Sequence, residues 1–121
     1  MAFADPQSVT INAVAQSLAR VSSGTYQGVF QKDDGLVGLQ ISHVLGSSRT
    51  RHTLRLNHAK IAANPFDSTL NAKYSMSAYV VVDVPIVGYT IAEQKQVVDG
   101  LTAYLTASSG ARVTQLLGNE N

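Results

Sequence analysis

The chain has 121 residues, a length that suits one domain over 1–121 and leaves too few residues for two ordinary cores. Apolar residues make up 45% and charged residues 14%, which excludes a disordered polar tail, and nine Lys and Arg against eight Asp and Glu leave a formal charge of +1. Any affinity for nucleic acid must therefore come from the distribution of charge, and the lack of cysteine excludes disulfide frameworks, thiolate metal sites and a cysteine nucleophile.

The start, Met1 to Pro6, lacks a basic segment followed by an apolar run, so no secretory signal is expected. Ser8 to Val14 alternates apolar and polar residues and predicts a strand. Gln16 to Val21 reads as its hairpin partner in preference to a short helix, and Ser22-Ser23-Gly24 supplies the next turn. Thr25 to Gln31 is rich in aromatic and β-branched residues. The Asp-Gly pair in Lys32-Asp33-Asp34-Gly35 then favours a tight reversal. Leu36 to Leu45 forms the outgoing strand, with Val37, Leu39 and Ile41 on one face and Gly38, Gln40 and Ser42 on the other.

After a turn at Gly46-Ser47-Ser48, Arg49 to Ile61 places Leu54 and Leu56 on an apolar face and Thr53, Arg55 and Asn57 on a polar one. Ala62 to Lys73 holds Asn64-Pro65 and shows no sustained period, which predicts a long loop. Its Asn64, Pro65, Phe66 and Asp67 are candidates for an assembly contact. Tyr74 to Val87 is a long strand that Pro85 confines to an edge or an end. The longest apolar stretch, Ala78 to Val82, is interrupted by Asp83 and falls far short of the roughly 20 residues that a membrane span requires.

Past Gly88 the period changes. Thr90-Ile91-Ala92-Glu93 has the form of a capping box, and Val97, Val98, Leu101, Tyr104 and Leu105 recur at helical spacing. Ser108-Ser109-Gly110 breaks that helix, and Ala111 to Leu117 forms a second one that stops at Gly118. Six or seven antiparallel strands followed by two helices make an α+β fold. Two short helices cover only part of one sheet face, so a partner subunit is expected to complete the cover.

The window Gly35 to Phe66 contains no acid, yet it holds Arg49, Arg51, Arg55, Lys60, His43, His52 and His58. Arg51, Thr53, Arg55 and Asn57 project from one face of one strand, and Gln40 and Ser42 join them from its neighbour. Cations suit phosphates, hydroxyls and amides suit bases or 2′-hydroxyls, and Tyr79 is placed to stack on an unpaired base. The plainer reading is a solvated sheet face. The three histidines lack nearby carboxylates and the spacing of a metal site, so no metal and no cofactor is expected. Hydrolase motifs and glycine-rich phosphate loops are missing too, and Asp33-Asp34-Gly35 reads as a turn rather than a catalytic pair.

The order of elements resembles the coat proteins of single-stranded RNA bacteriophages, the leviviruses. The resemblance is carried by Lys73 to Leu117, where K-Y-S-M-S-A-Y-V-V-V-D-V-P-I-V leads through Gly88-Tyr89-Thr90 into a capped helix, a break and a short apolar helix. The strand pair Val37 to Val44 and Arg49 to His58 also looks like the family's RNA-facing strands. The resemblance implies an N-terminal β-hairpin, a five-stranded antiparallel sheet and two C-terminal helices in an intertwined homodimer.

It further implies a capsid protein that assembles in the bacterial host cytoplasm into an icosahedral virion shell around single-stranded RNA. Such a coat also binds an RNA hairpin, as translational repressor and packaging signal. Matched strand by strand, Gln40, Ser42, Arg49, Arg51, Thr53, Arg55, Ser77 and Tyr79 occupy the RNA-facing positions. Within that match, Arg51 and Arg55 contact phosphate, Thr53 and Ser42 line adenine pockets, and Tyr79 stacks. Asn64 to Asn71 matches the loop that meets its counterparts around the shell's symmetry axes. Val97, Val98, Leu101, Tyr104 and Leu105 fall in the dimer interface. No catalysis, small-molecule substrate or membrane is implied. The alternative is a small dimeric nucleic-acid-binding regulator on a similar plan that forms no particles.

Overall fold

A computed structural model describes residues 3–121, of Ser68 only the backbone. Six strands follow one another in the chain: β1 (Gln7–Ile11), β2 (Val14–Gly24), β3 (Gln27–Gln31), β4 (Val37–Leu45), β5 (Arg49–Asn64) and β6 (Asp67–Pro85). Each is hydrogen-bonded to the next, so sequence order and spatial order coincide in one six-stranded sheet. A single helical element, α1 (Ile91–Leu117), comes last. The α+β class read from the sequence holds. Contacts cluster the chain into two units, one running to Gly46 and including Thr50–Asp83, the other made of Ser47–Arg49 and Val84–Asn121.

The strand count differs in detail from a hairpin plus a separate five-stranded sheet. β2 serves in both: Val14 to Leu18 pair with β1, and Ala19 to Gly24 pair with β3, with a register shift between Arg20 and Ser22. One long strand thus replaces two. The expected turn at Ser22-Ser23-Gly24 moves downstream, because β2 continues through Gly24 and the chain reverses before Gln27, with Tyr26 at φ 63°. The first hairpin closes at Asn12 and Ala13, both at positive φ (51° and 63°), as a two-residue turn between right-twisted strands requires. The Asp-Gly reversal occurs as expected: Gly35 sits at φ 73°, its N–H donates to the Lys32 carbonyl at 2.9 Å, and Asp34 Oδ1 accepts from the Leu36 N–H.

The long loop expected over Ala62 to Lys73 is absent. β5 runs on to Asn64 and β6 starts at Asp67, so only Pro65 and Phe66 lie between them. Asn64 Oδ1 accepts the Phe66 N–H at 2.9 Å, and Asp67 Oδ1 accepts both the Thr69 N–H and the Thr69 hydroxyl. Side chains near this tip are largely exposed, so neither face of the hairpin needs an apolar set. Alternation, the signal a strand normally carries, is therefore not selected there.

The core is small and lies in the sheet unit. Leu18, Phe30, Val37, Leu39 and Ile41 are buried, with Val9, Ile11 and Leu56 packed against them. Each such side chain contributes roughly 1.5–3 kcal/mol by leaving water. Register puts them on one face: Leu39 lies opposite Phe30 on one side and Leu56 on the other, and Ile41 lies opposite Leu54. Leu54 itself remains 42% exposed, and Ile61, Leu70 and Met76 are more open still.

The helical unit contains no buried residue among its α1 side chains. Thr90 caps its start, accepting the Glu93 N–H on its hydroxyl at 3.2 Å, and Gly118 closes its end by donating to the Thr114 carbonyl. The two helices expected from the sequence run as one element whose interior is broken at Ala107, Ser108, Ser109 and Gly110. The last three of these take the left-handed conformation. The break falls on the Ser-Ser-Gly segment, where glycine tolerates positive φ without a Cβ clash.

Candidate nucleic-acid interface

Alternation along β4 and β5 separates two chemistries. The register pairs Gly38 with Asn57, Gln40 with Arg55, Ser42 with Thr53 and Val44 with Arg51, all on the face opposite the core. β3 adds Val29 beside Gln40 and Gln27 beside Ser42. From β6, Ser77 and Tyr79 reach the same face through Arg55. The Arg55 Nη2 donates to Ser77 Oγ at 3.3 Å, and its guanidinium carbon lies 5.7 Å from the Tyr79 ring centroid. Arg55 Nε also donates to Asn57 Oδ1 at 2.9 Å. The polar face therefore has a hub, and the hub is Arg55.

Seven of the eight predicted residues are brought together in this way: Gln40, Ser42, Arg51, Thr53, Arg55, Ser77 and Tyr79. Arg49 opens β5 one residue before the stretch paired with β4, which begins at Thr50. Arg51 has an acidic neighbour, since its Nη2 lies 4.0 Å from Asp83 Oδ2, with both side chains open to water. In that setting an ion pair contributes little to stability but lowers the local positive potential. Tyr79 is 62% exposed, so its ring is available on one side for stacking while Arg55 approaches it.

Gly38 leaves a gap in the same face. A depression of about 350 Å³ opens there, bordered by Val29, Gln31, Gln40, Arg55, Asn57 and Ser77. It is apolar at Val29 and offers amide, guanidinium and hydroxyl groups at its rim, a mixture that suits a planar heterocycle with polar edges. Val29 was not among the predicted site residues, and Asn57, placed on this face by its alternation, was not among the positions matched to RNA-facing ones. The alternation that selected Arg51, Thr53 and Arg55 also selects Asn57, whereas Val29 is visible only once β3 is known to lie beside Gln40.

The three histidines do not converge. His43 and His52 face each other across β4 and β5 on the core side, and His58 lies farther along that side opposite Val37. Among the described residues no group of three or more His, Asp or Glu side chains is placed to hold a metal ion. Phe66, at the tip of the β5–β6 hairpin, is 98% exposed. Val97, Leu101 and Tyr104 on α1 are also exposed, while Val98 and Leu105 are partly covered. Among the described residues no helix is long and apolar enough to cross a membrane.

No protein-family model and no curated protein matches the sequence. Solved structures do match its fold. A virus-like particle of bacteriophage AVE019 superposes with a TM-score of 0.80 over 98% of this chain and 98% of that one, at 13% identity. A virus-like particle of Beihai levi-like virus 21 gives 0.72 over 92% of each chain at 12% identity. The capsid protein of bacteriophage GA gives 0.65 over 97% of this chain and 95% of its own, at 13% identity. Over nearly its whole length, the chain has the fold of levivirus-like phage capsid proteins.

Proposed function

We propose that this protein is a phage coat: a non-catalytic structural protein that dimerises, assembles into a closed icosahedral shell and carries single-stranded RNA against the polar face of its sheet. The observation that supports this most is the gathering of Arg51, Thr53, Arg55, Ser77 and Tyr79 on one face of a sheet whose fold matches a phage virus-like particle from end to end. In this reading Arg51 and Arg55 meet phosphates, Ser42 and Thr53 offer hydroxyls to bases, and Tyr79 stacks. Recognition of an RNA hairpin, with repression of translation and selection of the genome, is the finer form of the same proposal. The depression beside Gly38 is its natural seat.

The apolar side chains left in water supply the driving force for assembly. Val97, Val98, Leu101, Tyr104 and Leu105 pack on a second copy, and the long edge strand β6 meets its counterpart. The tip formed by Asn64, Pro65, Phe66 and Asp67 contacts further copies in the shell. The location is then the virion, with assembly in the bacterial host cytoplasm.

Electron microscopy of the chain expressed alone in bacteria, with nucleic acid extracted from the sized fraction, tests the proposal. Uniform closed shells containing RNA are expected. Dimers that bind nucleic acid but never close into particles would instead make the protein a regulator on a coat-like fold.

A further inference from the structure

On the core side of the sheet, opposite the proposed RNA face, His43 on β4 and His52 on β5 are direct cross-strand partners. Their Nδ1 atoms lie 2.8 Å apart, and the rings meet edge to face with centroids 5.0 Å apart. Both side chains are partly buried. The neighbouring pair on the same side is Ile41 with Leu54, and the next on the other flank is Leu45 with Thr50. Two imidazoles thus share one hydrogen bond between an apolar cross-strand pair and a mixed one.

The charge around them is one-sided. From β2 comes Arg20, whose guanidinium lies 5.2 Å from the Phe30 ring centroid and which borders the same cleft as His43. From β3 the Tyr26 carbonyl accepts the His43 backbone N–H at 2.8 Å. Farther along β5, His58 and Lys60 share the alternation of His52, and β6 turns Met76, Ala78, Val80, Val82 and Val84 toward this side. Next to Arg20, Asp5 Oδ1 accepts the Arg20 backbone N–H at 3.0 Å. No acid on β2 to β6 faces the pair to offset added positive charge.

We propose that the His43–His52 contact is an acid-sensitive clasp: protonation of both rings breaks it and weakens the packing of chains over this face of the sheet. The second half of that statement rests on the coat reading above. The proton count gives the direction. In the hydrogen-bonded pair one Nδ1 carries the hydrogen and the other supplies its lone pair. A first added proton goes to the free Nε2 of the donor ring and leaves the bond in place. A second finds only the accepting Nδ1, and protonation there sets two N–H groups head to head. Once the pair opens, both rings take protons freely. The open state therefore binds one proton more than the closed one, so stability rises with pH. The contribution is lost as pH falls, because acid favours the open pair with its extra proton.

The test uses the full chain, purified at pH 7.5 and moved stepwise to pH 4.5. Particle content is followed by light scattering, and thermal melting is recorded at each step. The wild type is compared with His52→Gln and with the double variant His43→Leu, His52→Leu, which continues the Ile41–Leu54 type of pair. Expected is a loss of particles and of melting temperature as the pH is stepped down in the wild type. Per chain, the unfolding equilibrium steepens by up to about tenfold for each pH unit, and this step is absent from the double variant. A wild-type profile flat across that range overturns the clasp, as does a step that the double variant retains. If no particles form at pH 7.5, the coat reading fails by itself, and the melting profiles of whatever species forms still decide the clasp.

Discussion

The Arg55 guanidinium bridges two strands: it lies 5.7 Å from the Tyr79 ring centroid on β6 while its Nη2 donates to Ser77 Oγ, and its Nε holds Asn57 on its own strand. A long cationic side chain fixed at three points presents its remaining donors in a set direction, so less freedom is lost when a phosphate binds. Arg55→Ala is expected to weaken RNA binding and to reduce the slope of log affinity against log salt by about 0.7, the value for one phosphate contact on a single strand. Dimerisation should persist, because Arg55 faces away from the core. An unchanged salt slope in filter binding would remove Arg55 from the phosphate contacts.

Asp83 works against the same face. Its carboxylate lies 4.0 Å from Arg51 and places negative charge where RNA phosphates would approach. Asp83→Asn is expected to raise affinity for non-specific single-stranded RNA several-fold at low salt, with the gain fading toward about 0.5 M salt as screening sets in. Binding titrations at two salt concentrations decide it, and equal affinities for variant and wild type at low salt would count against the assignment.

Much of this architecture was legible in the sequence. Val37, Leu39 and Ile41 declare one face of β4, and Arg51, Thr53 and Arg55 the opposite face of β5, because a half-buried strand enforces a period of two. The Thr90 cap and the Ser108-Ser109-Gly110 break were equally readable, since both depend on local chemistry. The hairpin tip was not. Around Asn64 and Asp67 no core selects an alternating pattern, and a strand in water reads as a loop. Nor could the sequence reveal the pairing of His43 with His52, which needs the register across the turn at Gly46.

The turn at Asn12 and Ala13 carries a stored cost. Ala13 holds φ 63°, where its Cβ crowds the backbone, while a glycine adopts that region freely. Ala13→Gly converts the turn to Asn-Gly, the sequence most favoured for two-residue hairpins. Stability should rise by about 1 kcal/mol, read as a higher melting temperature. A melting temperature below that of the wild type would show that the loss of chain entropy on folding outweighs the relief of strain.

On α1, Leu101 is 49% exposed and belongs to the stripe with Val97 and Tyr104. An apolar stripe in water is expected to pack on a second chain, and a carboxylate placed in it would have to be buried without a counter-charge. Leu101→Asp is expected to shift the protein from dimer to monomer in analytical ultracentrifugation and to abolish particles. A dimer of undiminished affinity would place the interface elsewhere.

At the β5–β6 tip, the Asp67 carboxylate accepts the Thr69 hydroxyl at 2.7 Å and the Thr69 N–H at 3.0 Å. These two donors, the hydroxyl foremost, hold its pKa below the ordinary aspartate value of 3.8. As pH falls, the unfolded chain therefore takes up this proton before the folded tip does. The stabilisation is fully present above 3.8 and is lost as pH drops through the lower folded value. Asp67→Asn is expected to remove the acid dependence of amide exchange at Thr69 below about pH 4 and to leave the behaviour between pH 7 and 5 unchanged. Identical low-pH exchange profiles in variant and wild type would show that the tip is ordered by Asn64 and the β5–β6 ladder instead, without the Asp67 contact.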